Sequence, residues 1–409
     1  MPGESLGLIP RMILFLHNRY RTTGGEERVV DDLIWLVREH MGEPAELLSR
    51  DSAARSRAGA ALGLLRGGLG EAEVADAVRA SNARIVHAHN LHPGLGWRSL
   101  AAARSVGARV VLHLHQYRLV CATGVCFTRG EECTRCHGRN TLPGVLLNCR
   151  ASRPEALAYG AALALWQRRL IAQADAVIVP SEFARARLQA LGLRLPWDRV
   201  RVIPPPVRTL AGAAGAAGAG ASAVTSDADA ENLTALARTA ERSYALVVGR
   251  LALEKGVDVA IDACRLAGVP LVIAGYGPEA DALHAHAHAA GGDVRFVGHV
   301  NAAELARLRA GAAIALVPSR SGETFGMAAA EAMAAAVPVA ASRVGALPEL
   351  IEEDALAPAG DPHELAGAIT RLWGDTHAGE RGLRRVRELC APERVAAALT
   401  DAYDLAAAE

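Results

Sequence analysis

Short apolar runs alternate with helical stretches, and the pattern occurs twice along the chain, which constrains the fold more than any other feature. Met12–Leu16 is an apolar run short enough for a buried strand, within the segment Arg11–Asn18. A loop through Thr22-Thr23-Gly24-Gly25 follows, and then a helix. Val30, Leu33, Ile34 and Val37 share one face of it, and Glu26 and Glu27 sit in the first turn, where the dipole favours acids. Arg84–His89, Arg109–His115, Ala176–Pro180 and Val200–Ile203 repeat the strand pattern, with helical stretches between most of them. This alternation specifies a parallel sheet covered by helices on both faces. Pro204-Pro205-Pro206 ends it, because no helix or central strand runs through three prolines. The Ala/Gly tract Ala211–Ala223 and a polar stretch to about Arg242 read as a linker. The alternation then restarts with strands at Tyr244–Gly249, Pro270–Ala274, Val294–Val297, Ala313–Pro318 and Val337–Ala341. The expectation is two similar parallel α/β domains, 1–207 and 243–391, joined by a linker over 208–242. A last helix, about 392–408, has no strand after it and is free to pack on either half, including back on the first.

Composition agrees. A length of 409 residues suits two domains, and 51% hydrophobic with 22% charged residues excludes a disordered chain. Lys+Arg and Asp+Glu both number 44, so the basic excess of a nucleic-acid binder is absent. No span reaches the roughly 18 apolar residues of a membrane helix; Ala156–Trp166 stops at Gln167-Arg168-Arg169. Met1–Pro10 carries no basic-then-apolar leader. The expectation is a cytoplasmic protein with no transmembrane segment, peripheral membrane contact left open. Lys255 is the single lysine among basic residues that are otherwise all arginine. In so arginine-rich a chain, a surviving lysine points to a place where arginine would not serve.

Ligands of open α/β sheets bind at the carboxyl ends of strands. The strand Tyr244–Gly249 runs into Gly249-Arg250-Leu251-Ala252-Leu253-Glu254-Lys255-Gly256. Arg250 supplies a planar fork and Lys255 a compact charge, a pair suited to clamping a diphosphate. The strand Ala313–Pro318 runs into Ser319-Arg320-Ser321-Gly322-Glu323-Thr324-Phe325-Gly326-Met327 and an Ala-rich helix. Backbone N–H groups of Phe325, Gly326 and Met327 at that helix start make an anion site, and Gly326 admits close approach. Glu323 in the loop and Glu331 in the helix are placed to hold different parts of one elongated ligand. Nothing in their spacing brings them together as an acid/base pair, and Glu331 taken alone reads as an ordinary helix-surface residue.

Taken in order, these residues resemble the retaining glycosyltransferases of family 4, nucleotide-sugar enzymes of the two-Rossmann GT-B fold. The resemblance rests on Gly249-Arg250-Leu251 with Glu254-Lys255-Gly256, and on Glu323 and Glu331 around Phe325-Gly326. His17-Asn18 with Gly24-Gly25-Glu26-Glu27, His87-Ala88-His89-Asn90, His115–Cys121, Ser181-Glu182-Phe183, Gly275-Tyr276-Gly277-Pro278 and Val297-Gly298-His299 extend it over most of the chain. It implies that Arg250 and Lys255 bind the donor diphosphate, Glu331 the ribose hydroxyls and Glu323 the sugar hydroxyls. The Phe325–Met327 amides would take the distal phosphate, Gly24 and Gly25 would close over the phosphates from the other domain, and Phe296–His299, with Gly298, would border the base. His115 resembles the family's motif histidine facing the reacting sugar. The implied reaction transfers a sugar from a UDP-sugar, or a GDP-sugar, to a hydroxyl of a small-molecule or saccharide acceptor. It proceeds on one face of the sugar, with no catalytic metal and no protein nucleophile. Consistently, no Asp-x-Asp ends a strand; Asp227-Ala228-Asp229 lies in the linker.

The remaining histidines read as ordinary polar groups: His87 and His89 at a strand end, His284, His286 and His288 on an exposed helix. The cysteines depart from the family pattern. Cys133-x2-Cys136 has the spacing of half a structural zinc site, and Cys121 and Cys149 complete the expected set, with Cys126 or His137 as substitutes. Rival readings are a nucleotide-sugar epimerase or a phosphorylase on the same fold, and a zinc-bearing scaffold that binds nucleotide sugars without turnover. A dinucleotide oxidoreductase lacks its Gly-x-Gly-x-x-Gly.

Overall fold

The computed structural model describes residues 11–20, 24–212 and 242–408. The first half carries β1 (Ile13–Arg19), β2 (Ala45–Asp51), β3 (Ile85–Ala88), β4 (Arg109–His113), β5 (Phe127–Thr128), β6 (Glu131–Glu132), β7 (Ala176–Val179) and β8 (Val200–Val202). Six of these form one parallel sheet in the order β2-β1-β3-β4-β7-β8, and β5 pairs with β6 as a small antiparallel hairpin. The second half carries β9 (Tyr244–Val248), β10 (Leu271–Ala274), β11 (Val294–Gly298), β12 (Ala312–Val317), β13 (Val339–Ser342) and β14 (Leu356–Ala357). They form a parallel sheet in the order β11-β10-β9-β12-β13-β14. The two-domain parallel α/β architecture is therefore as expected.

Every run read above as a strand is one, although the run Arg109–His115 leaves the sheet after His113, and Ala156–Trp166 lies within helix Arg153–Ile171. Three pieces escape the apolar-run signal: β2, β14 and the hairpin. In β2 only Ala45 is buried, as expected of an edge strand with one wetted face. By contrast, all six residues of β12 are buried, so helices on both sheet faces demand a continuous apolar run there.

Helix Gly25–Glu39 buries Val29, Val30, Leu33, Leu36 and Val37 against Ile13 and Phe15 of β1. The last helix, Pro392–Ala407, resolves the open choice: Val395, Leu399, Ala402 and Tyr403 enter that same first-half core, with Val111 and Ile178. The helix before it, Thr376–Cys390, stays with the second half through Val386 and Cys390. Val207 also lies in the second core, and its N–H donates to the Cys390 carbonyl at 3.1 Å. The chain thus crosses between halves at the prolines 204–206, before the Ala/Gly tract. Most of that tract, and of the polar stretch after it, falls outside the described residues, as do Thr22 and Thr23.

Each sheet has a point where strand order reverses, between β1 and β3 and between β9 and β12. Loops leaving those strands line the crevices in which α/β sheets hold ligands.

Candidate active site

The loops after β9 and β12 pack against each other. Gly256 has φ of +63°, and a Cβ there would stand 2.1 Å from the Pro318 carbonyl oxygen, so only glycine lets the two backbones meet. Contact of the loops brings Lys255 Nζ to Glu323 Oε1, donating at 2.6 Å, and Ser319 Oγ donates to the same oxygen at 2.6 Å. Burial opposes ionisation of Glu323, yet Lys255, Ser319 and Arg250 hold its carboxyl below the ordinary range. Arg250 is exposed and pairs with Glu254.

Gly326, with φ of +99°, caps the helix Met327–Ala334, leaving that helix's first N–H groups without intrahelical partners. Phe325 is buried beside it. Glu331 is not a loose surface acid: its side chain is 11% exposed and is held by Arg309 and by Arg28 Nη1 at 2.8 Å. Burial works against its charge too, but Arg309 and Arg28 depress the carboxyl. Glu323 and Glu331 thus have separate cationic partners at two places in the cleft. Phe296 in β11 is buried with His284 stacked on it, ring centroids 3.8 Å apart, and Gly298 closes that strand.

Arg28 belongs to the opposite half, as do the other groups that meet this site. Thr324 Oγ1 donates to the His115 carbonyl at 3.0 Å, and Ser181 Oγ donates to the Thr324 carbonyl at 2.6 Å. Glu349 accepts the N–H groups of Glu182 and Phe183 at the start of helix Glu182–Ala190. Gly24 caps helix Gly25–Glu39 and gives its N–H to Glu27 Oε2 at 2.8 Å, while Gly25 is exposed with open space beside it.

His115 does not stand alone. The imidazoles of β3 and β4 and the residues just beyond form two stacked rungs. His89 Nδ1 and His115 Nε2 share a hydrogen bond of 2.7 Å; His87 Nε2 meets His113 Nδ1 at 3.2 Å, and His87 Nδ1 meets the Tyr403 hydroxyl at 2.8 Å. Centroids are 4.5 Å apart for His87 and His89 and 4.2 Å for His113 and His115. Burial pushes all four rings toward the neutral form, His87 to about 3; repulsion from neighbouring imidazoles adds to it, while Glu26 and Glu27 pull His115 the other way. His87, His89 and His113 present ring nitrogens within 4.8 Å of one another. Stacked rings carry parallel in-plane lone pairs, which do not converge on one ion, so the set reads as a polar support for His115. His284 and His288 are exposed as expected, and His286 Nε2 pairs with Asp262 Oδ1 at 3.0 Å.

Cys121, Cys133, Cys136 and Cys149 gather round one small cavity beside this ladder's loop, and Cys126 lines it as well. Sequence reasoning missed Ser319, Thr324, His89, Arg28, Arg309 and Glu349 as site residues. Arg28 did leave a signal, since a basic residue in a helix's N-terminal turns opposes the dipole and invites an external acid. The others are ordinary residue types made functional only by what faces them.

A family model described as glycosyl transferases group 1 matches residues 230–384, and one described as a glycosyl transferase 4-like domain matches residues 19–206. Glycogen synthase of Mycobacterium tuberculosis is 38% identical over 153 residues, covering 35% of this chain and 37% of that protein. A GDP-mannose-dependent alpha-(1-6)-phosphatidylinositol dimannoside mannosyltransferase of the same species is 37% identical over 159 residues, covering 37% and 41%. The match therefore spans little more than a third of these curated relatives. Two solved structures agree over nearly their whole length. Sucrose-phosphate synthase from Thermosynechococcus elongatus has a TM-score of 0.68 at 19% identity, covering 98% of this chain and 100% of that one. Anabaena HepE in complex with UDP and glucose has a TM-score of 0.61 at 18% identity, covering 96% and 99%. With its first half matched by the one model and its second by the other, on two facing α/β domains of the GT-B kind, the chain belongs to the group 1, 4-like glycosyltransferase family.

Proposed function

We infer that this chain is a retaining glycosyltransferase, which moves a sugar from a nucleotide-sugar donor, a UDP-sugar in preference to a GDP-sugar, to a hydroxyl of a small-molecule or saccharide acceptor. The observation that carries the reading is the convergence of Lys255 and Ser319 on Glu323 at the second sheet's switch point, with His115 of the first half tied to the same loop through Thr324. In this reading the donor diphosphate lies at the start of helix Met327–Ala334, where the N–H groups of Phe325, Gly326 and Met327 favour an anion. Arg250 and Lys255 add a planar fork and a point charge. Lys255 turns from Glu323 to the phosphate, and Glu323, kept oriented by Ser319, is left to accept hydrogen bonds from sugar hydroxyls. Glu331, steadied by Arg28 and Arg309, takes the ribose hydroxyls. Phe296–His299, Gly298 among them, borders the base, and Gly24 and Gly25 approach the phosphates from the opposite half.

As the bond between anomeric carbon and phosphate oxygen lengthens, negative charge grows on the phosphate. Preorganised cations and helix dipole stabilise that charge more than the ground state. The departing oxygen takes the acceptor hydroxyl's proton on the same face, so the acceptor bonds where the phosphate left, the configuration is kept, and the chain's own cations suffice without a catalytic metal. His115, kept neutral by burial, contributes a hydrogen bond rather than a charge. NMR of the product linkage tests the mechanism: retained anomeric configuration is expected, and inversion overturns it. A thermal-shift panel of nucleotide sugars tests the function, since a bound donor stabilises the fold in proportion to its affinity. No shift and no transfer with any UDP- or GDP-sugar would overturn the reading.

A further inference from the structure

Five of the seven cysteines lie in the loop between β4 and helix Arg153–Ile171, and all five line one small cavity. The loop has little regular structure to hold it: the two-residue strands β5 and β6, and the short helix Leu142–Leu146, whose end leucines are 55% and 70% exposed. Its backbone is also costly. Cys126, Arg129 and Asn148 hold left-handed conformations with φ of +51°, +54° and +52°, which non-glycine residues adopt only at a cost. Two of the sulfurs meet hydroxyls: Cys121 Sγ lies 3.5 Å from Thr123 Oγ1, and Cys149 Sγ lies 3.5 Å from Thr128 Oγ1.

We propose that this cavity is a structural zinc site, in which Cys133 and Cys136 supply a two-thiolate bite and Cys121 and Cys149 close the tetrahedron. Cys126 also lines the cavity but stays outside the set, since four thiolates complete a structural zinc. Beside the cavity, Arg150 Nη1 donates to the Ala122 carbonyl at 2.9 Å and Arg187 pairs with Glu132. No three sulfurs lie within 4.8 Å of one another, whereas sulfurs 2.3 Å from one ion would be about 3.8 Å apart. The loop therefore draws inward on the ion, so metal binding and loop ordering are one event. The ordered loop would wall the cleft beside His115, a positioning role that does not depend on which donor the enzyme uses.

The test is elemental analysis of the full chain purified without added metal, with zinc then added in excess and removed by gel filtration. About one equivalent per chain is expected. Replacement of the zinc by cobalt should give the strong near-ultraviolet band of cobalt–thiolate coordination. The double variant Cys133→Ser/Cys136→Ser should lose the metal, while Cys126→Ser should retain it. Chelation of the wild type should open the segment 121–149 to limited proteolysis, a readout that stands if the double variant fails to fold. Less than about a tenth of an equivalent after zinc loading would overturn the site. A Cys121–Cys126 disulfide found by mass spectrometry would also overturn it, and retention of zinc by Cys149→Ser but not Cys126→Ser would overturn the ligand set.

Discussion

Lys255 donates to Glu323 at 2.6 Å from a loop pinned by Gly256 against the Pro318 carbonyl, and that geometry limits what can replace it. Lys255→Ala should lower kcat/KM for sugar transfer by the equivalent of about 2–4 kcal/mol, the scale of losing one charged stabiliser in a preorganised site. Lys255→Arg should fail almost as badly, because a longer planar fork cannot stand in for a point charge where the loop cannot yield. Steady-state kinetics of both variants read this directly. Wild-type turnover by the arginine variant would remove the argument that this lysine survives because arginine would not serve. Lys255 was legible because its rarity drew attention to its loop. Its partner atom was not legible, since nothing in the spacing says which of several nearby acids the Nζ will meet.

At the scale of elements, the ends of β3 and β4 carry the histidine ladder, and its chemistry predicts acid sensitivity. Burial lowers the pKa of His87 to about 3 and of His92 to about 4, and depresses His89, His113 and His115 as well. The folded state thus binds fewer protons than the unfolded chain below the ordinary imidazole value of about 6.5, so stability present at neutral pH is lost as pH falls through that value. Each neutral ring contributes up to about 1.4 kcal/mol per pH unit, so five together can consume a typical 5–15 kcal/mol stability within about two units. Asp32, pushed up to about 7 chiefly by burial and secondarily by Glu331, acts with the opposite sign but as one group. Thermal midpoints should drop steeply between pH 6.5 and 5, and a flat profile there would contradict the neutral ladder. The start of helix Met327–Ala334 gives a second prediction. Gly326→Ala places a Cβ 2.6 Å from Leu347 Cδ2 in a left-handed backbone, and should cost roughly 1–3 kcal/mol in denaturant unfolding while weakening nucleotide binding.

Across the whole molecule, the two halves are joined by more than the prolines. Helix Pro392–Ala407 leaves the second domain and completes the core of the first, with Leu399 and Tyr403 fully buried among residues of β1, β4 and β7. Leu399→Ala should therefore destabilise the first domain by about 2–5 kcal/mol although the residue lies near the end of the chain. Hydrogen exchange should show faster opening of β1, β4 and β7 with β9 and β12 little changed. Loss of protection confined to the second domain would contradict this packing.

The amino-acid sequence alone determined the two parallel α/β domains, because a buried strand needs an apolar run and the runs recur with helices between them. It also pointed to the loops after β9 and β12 as the proposed donor site, because glycine, arginine, lysine and glutamate at strand ends mark places where backbone and charge can meet a ligand. Tertiary structure decided what periodicity cannot encode. The edge strand β2 is half polar, so its membership depends on pairing with β1. The last helix presents an apolar face that either half could bury, and only the shape of the first core selects it. Arg28, Thr324 and His89 are distant in sequence from Glu331 and His115, and their roles exist only where the fold brings the atoms within hydrogen-bonding reach.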